Sequence, residues 1–149
     1  MTGVPARDAG ARPWGALFAA IGLAVVIPAC EAPPHAVRKD CSGLSFGNEF
    51  RRDCTLAAAR FDRTVFASLP VDSQRRLARV QGHFSVQQGM VRVSLHGNTG
   101  TAAEFVVGPG QPGSINTTLR VDRRKGFHLR FDPDGEAAGL EGTLHYEAR

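Results

Sequence analysis

Four histidines, two of the three cysteines and three short arginine clusters are the residues here whose types could do chemistry. His83, His96, His128 and His145 each fall on a segment that alternates like a strand, opposite its apolar residues. Each should therefore face outward. If two such strands are neighbours, opposite side chains lie ~5 Å apart. Two or three imidazoles could then hold zinc, copper or nickel. No HxH or HxxxH spacing supports this, and scattered surface histidines are the competing reading; His35 lies outside the strand pattern. Asp132-Pro133-Asp134-Gly135-Glu136 has the oxygen-rich look of a calcium loop. A dedicated site needs about six oxygens, and a hairpin turn accounts for the proline and glycine.

Covalent catalysis has no sequence support. There is no GxSxG elbow and no SxxK. Gly108 to Gly113 holds two prolines and no GK[ST], so it is no phosphate loop. No catalytic residue and no cofactor are expected. The basic clusters are Arg51-Arg52, Arg75-Arg76-Arg79 and Arg120-Arg123-Arg124-Lys125, within a formal net charge of +4. Arg120, Arg123 and Arg124 are the candidates for an anionic ligand. A solvated basic surface is the plain alternative.

A third cysteine, Cys30, closes the run Ile27-Pro28-Ala29-Cys30. It follows an uncharged apolar stretch from Trp14 to Ile27, with Arg7 and Arg12 ahead of it. This is the layout of an export signal: a positive start, an apolar middle and a small residue before the cut. The run resembles the lipobox of bacterial lipoproteins. The resemblance implies cleavage before Cys30, a diacylglycerol on its thiol and acylation of its new amine. It divides the chain into a signal peptide at 1–29, a tether at 30–40 and one β-rich domain at 41–149. The implied location is the bacterial cell envelope, facing periplasm or exterior. The partner it implies is the membrane, through the lipid; another envelope protein is a further expected partner, and an exported chain is not expected to meet nucleic acid. An ordinary cleaved signal ending at Ala29 remains open. An uncleaved anchor fits less well, since a spanning helix needs ~20 apolar residues.

Export also bears on Cys41 and Cys54. Disulfides persist in oxidising compartments. With Cys30 lipidated, only these two cysteines are left to pair, closing a loop worth about 3 kcal/mol in the chain-entropy account. No CxxC spacing points to zinc.

The elements that must position these residues are mostly strands. From Leu77 onward apolar residues recur at every second position. Val80, Phe84 and Val86 form the first such series, and Val91, Val93 and Leu95 the next. A short, more buried strand holds Phe105, Val106 and Val107. Ile115, Thr117, Leu119 and Val121 alternate again, as do Phe127, Leu129 and Phe131, then Leu140, Leu144 and Tyr146. Gln88-Gly89, Gly97 to Gly100 and Asp132 to Gly135 punctuate them as turns. The stretch from Phe50 to Leu69 reads two ways. Phe50, Cys54, Ala57, Phe61, Val65 and Leu69 make a helical stripe, and a helix packed on the sheet is the favoured expectation. Further strands completing a jelly-roll-like sandwich are the alternative.

The fold expected is mainly β, an antiparallel β-sandwich or small barrel. Leu77 to Glu147 resembles the small jelly-roll sandwiches appended to secreted bacterial proteins, such as prepeptidase C-terminal and GOLD-like domains. The resemblance implies a binding or targeting module. Sugar stacking is poorly provided for, because Trp14 leaves with the signal and Tyr146 points inward. The function expected is a lipid-anchored envelope protein with a non-catalytic binding or scaffolding role. The alternatives are a module that binds a metal through histidines or an anionic envelope polymer through arginines, and a small hydrolase.

Overall fold

The computed structural model describes residues 36–47, 49–122 and 126–149. Cys30, residues 1–29 expected to be a signal peptide, Arg123 and Arg124 lie outside the described residues. Nine strands are present among the described residues: β1 (Arg38–Phe46), β2 (Glu49–Phe61), β3 (Val65–Leu69), β4 (Leu77–Ser85), β5 (Val91–Gly97), β6 (Gly100–Val107), β7 (Gly113–Arg120), β8 (Phe127–Pro133) and β9 (Ala137–Ala148). Strand β1 begins inside the stretch expected to be tether.

The strands form two antiparallel sheets, ordered β1-β2-β9-β4-β7 and β3-β8-β5-β6. Without β1, that order is an eight-stranded jelly roll, and β1 is an added edge strand. The β-sandwich expected from alternation is therefore present. The helix over Phe50–Leu69 is not: that stretch is β2 and β3. Phe50, Cys54, Leu56 and Ala58 turn inward at period two, while Ala57 of the supposed stripe is exposed.

The core lies between the sheets. Val80, Phe84, Val91, Val93, Leu95, Leu129, Phe131 and Leu140 are all essentially inaccessible. Phe84 from one sheet meets Phe131 and Phe105 from the other, at centroid distances of 6.0 and 5.9 Å. The ring fits because its neighbours are glycines. A Cβ at Gly142 would lie 2.6 Å from Phe84 Cδ1, and one at Gly82 would lie 2.7 Å from Leu144 Cδ1. Tyr146 packs edge-on against Phe127 and donates its hydroxyl to the Pro70 carbonyl at 3.2 Å. Burial pushes its pKa up to about 12.

Two details depart from strict alternation. Ser94, expected outward, is buried. Strand β6 is longer than its apolar run, and Val106 within it is half exposed. The buried residues lie between Phe50 and Tyr146, and Glu31–Arg149 forms one compact unit. The core of the described residues therefore lies within this unit.

Candidate functional site

The fold separates the four histidines. His83 on β4 and His145 on β9 sit on the outer face of the five-stranded sheet. His96 on β5 and His128 on β8 sit on the outer face of the other. The second pair does meet: His96 and His128 are cross-strand partners, their rings stacked at 5.0 Å and 10°. Parallel stacking keeps the ring nitrogens in two separate planes, so they do not converge on one ion. His96 is also engaged at both nitrogens, with Ser94 Oγ at 3.0 Å and Thr101 Oγ1 at 3.2 Å. On the other face, His145 Nδ1 contacts Asp53 Oδ1 at 2.7 Å. Among the described residues no group of three or more His, Cys, Asp or Glu side chains could hold a metal. The Asp132 turn is likewise committed. Burial works against the charge on Asp132, but hydrogen bonds from Thr64 and Arg130 outweigh it and hold its pKa below the usual range. Glu136 pairs with Arg60 at 3.2 Å.

The stacked histidines carry a pH prediction. Burial, reinforced by the neighbouring His96, lowers the pKa of His128. The folded state therefore binds its proton less readily than the unfolded chain. Stability should be full above the ordinary histidine value and should be lost as pH falls through the lowered one. Urea midpoints taken from about pH 7.5 down to about 5 should decline, and His128→Gln should flatten the decline. An equal slope in wild type and variant would contradict this.

The Ser94–His96 pair superficially offers a nucleophile and a base. Ser94 is only 3% exposed, and a hydroxyl rather than a carboxylate holds the far nitrogen of His96. A groove of about 550 Å³ beside the pair is lined by Ser68, Asn98, Asp122 and Phe127. Its polar groups come from four separate segments.

The arginines behave differently, because the fold gathers clusters that are remote in sequence. Strands β1 and β7 end, and β2 and β4 begin, at one end of the five-stranded sheet. Its outer face finishes there in two cross-strand rows. One row runs Leu44, Arg51, Glu147, Arg79 and Thr118. The last includes Phe46 beside Glu49, and Leu77 beside Arg120. Arg75 and Arg149 join Leu44 and Arg51 around a concavity of about 360 Å³. Arg149 hydrogen-bonds Glu147 and, with Arg51 behind it, holds the Glu147 carboxyl below its usual pKa. No ion pair joins Arg75, Arg76, Arg79 or Arg120 to a described residue. Toward the opposite end Arg60 pairs with Glu136, Arg63 with Asp62, Arg92 with Glu104 and Arg130 with Asp132, while Arg38 joins no described carboxylate.

Of the arginines singled out from sequence, Arg120 belongs to this end. Leu44, Phe46, Arg149 and Leu77 were not singled out. The alternation Leu44-Ser45-Phe46 was the available signal for the first two. Leu44 is 75% exposed and Phe46 86%.

The final surface feature is the free edge of β1. Cys41 and Cys54 face each other across β1 and β2 and are joined by the disulfide, with Cα atoms 4.1 Å apart. So short a separation marks a non-hydrogen-bonded pair. Alternation then turns the backbone N–H and C=O groups of Lys39, Cys41, Gly43 and Ser45 toward the open side. Gly43 keeps this ladder close, since a Cβ there would lie 2.1 Å from the Arg51 carbonyl oxygen.

No protein-family model matches the chain, and no curated protein matches it. Among solved structures it is similar to a protein of the Bacillus endospore appendages, described as a family of disulfide-linked pili. Identity is 16% and the TM-score 0.37, with 80% of this chain and 94% of that chain covered. It is also similar to the C-terminal CBM6 of LamC, a marine laminarinase from Zobellia galactanivorans. Identity is 8% and the TM-score 0.28, with 76% of this chain and 99% of that chain covered.

Proposed function

We propose that the chain is a lipid-anchored, non-catalytic cell-envelope protein that binds another envelope protein along the open edge of β1. Cys30 carries the lipid in this reading, on the strength of its lipobox-like surroundings. The observation that carries the binding role is β1 itself. It is nine residues long, pairs among the described residues with β2 alone and stays exposed along almost its whole length. A strand that adds so little to the core would fray on thermodynamic grounds, yet a disulfide fastens it. Exposed edges are aggregation hazards that proteins ordinarily blunt. One held open covalently is suited to receiving a partner strand by β-augmentation.

The test is made on the full chain in its host membrane. The acyl mass on Cys30 is read first, by intact mass of the detergent-extracted protein. A photo-crosslinker at Ser42 should then join the chain to one discrete envelope protein. Ser45→Pro removes an outward N–H without touching the β1–β2 ladder, and proline is tolerated at a sheet edge. It should reduce that adduct at least tenfold. An unacylated soluble protein would refute the anchor. Equal adducts from Ser42 and from Glu104 on the far edge strand β6 would refute the docking role.

A further inference from the structure

We infer that the arginine end of the five-stranded sheet is a second, separate binding surface, and that it docks on an anionic phospholipid bilayer. The distribution of charge carries the inference. Four arginines toward the opposite end are ion-paired and Arg38 is not, whereas no ion pair joins Arg75, Arg79 or Arg120 to a described residue; Arg75 and Arg120 are exposed and Arg79 is partly exposed. Of the two carboxylates lining the concavity, Glu147 is already shared by Arg51 and Arg149, and Glu49 stands beside Phe46. Clustered guanidinium groups suit phosphate oxygens, which they can grip through two parallel N–H donors.

The apolar residues select a bilayer over a soluble polyanion. Leu44 and Phe46 stand on the same outer face as Arg51, at the tip of the β1–β2 hairpin, and are the two most exposed large apolar side chains described. A dissolved polyanion gives them nothing to enter. A membrane interface offers acyl chains just below the phosphates, so the apolar tip can sink while the arginines stay at headgroup level.

The inference rests on the envelope reading only for which bilayer this is. The charge pattern stands without it.

The test uses Glu31–Arg149, which contains its own core and no lipid, so its outcome is independent of Cys30 and of the β1 edge. The protein is sedimented with vesicles of phosphatidylglycerol and phosphatidylcholine in equal parts, and with vesicles of phosphatidylcholine alone. Binding should need the anionic lipid and weaken as salt is raised. Each arginine at such a surface is worth roughly fivefold. Arg75→Ser, Arg79→Ser and Arg120→Ser together should therefore weaken binding roughly a hundredfold. The control with Arg60→Ser, Arg63→Ser and Arg92→Ser removes the same charge from elsewhere and should stay within a few fold of wild type. Leu44→Ser with Phe46→Ser should abolish the part of the binding that survives high salt. Unchanged thermal midpoints show that the variants fold. Equal losses in both arginine sets would reduce the effect to net charge and overturn the proposal. So would absence of binding, or complete displacement from the vesicles by polyphosphate at equal phosphate concentration.

Discussion

Phe84→Ala is expected to lower unfolding free energy by about 3–5 kcal/mol, the usual cost of emptying a phenylalanine site in a core. Phe84 is 1% exposed and joins the sheets by touching both Phe105 and Phe131. Its surroundings cannot close over the gap. The residues beside it are Gly82 and Gly142, which have no side chains to move inward, and both belong to hydrogen-bonded strands. The site should therefore stay hollow, placing the cost high in that range. Phe84→Leu keeps most of the volume and should cost much less. Urea unfolding at unchanged m-value measures both. A loss under about 1.5 kcal/mol for the alanine variant would mean that β4 and β9 can collapse together, contrary to this account. The effect should reach the proposed arginine surface too, because β4 and β9 carry Arg79 and Glu147.

The same region explains what could be read from the chain alone. Except at β6 and Ser94, alternation from β4 to β9 was a sound guide, because those strands have one buried and one solvated face. Val91, Val93 and Leu95 are buried, and Arg92 between them is exposed. The Phe50–Leu69 stretch misled for a specific reason. Inward residues run at period two from Phe50 to Ala58, but the next is Phe61, three positions on. Its partner strand shows the same jump, from Leu140 to Ala137, with Gly139 at φ +66° between them. The two paired strands change face together. A step of three inside a strand imitates a helical spacing, and small alanines at positions 57 to 59 blur the rest.

The candidate surfaces were legible as residues but not as places. Arg51, Arg75, Arg79 and Arg120 formed separate clusters in sequence because hairpin ends recur at long intervals. What unites them is strand order, a long-range property that alternation does not encode. The same holds for the histidines. Outward direction followed from parity, but the division into two faces followed from which sheet each strand joins.

Reducing the Cys41–Cys54 bond should free β1 while leaving the jelly roll folded. The chain-entropy value for so short a loop is about 3 kcal/mol, but the measured global loss should fall well short of it. That value assumes a native state unchanged by reduction. Here β1 contributes almost no buried area: of its residues only Cys41 packs partly against the core. Without the bond, the native protein can release the strand and recover conformational entropy that the unfolded chain would otherwise gain alone. The cost should appear as local opening. Amides of Asp40, Ser42 and Leu44, which face β2, should exchange roughly a hundredfold faster in the reduced protein, the equivalent of that 3 kcal/mol. Those of Val93 and Leu129 should keep their protection. Both proposed surfaces should suffer, since the β1 edge would no longer be presented and Leu44 and Phe46 would no longer stand beside Arg51. Unchanged exchange along β1 after reduction would show that backbone pairing with β2 suffices, and would remove the argument that the disulfide holds an edge open for a partner.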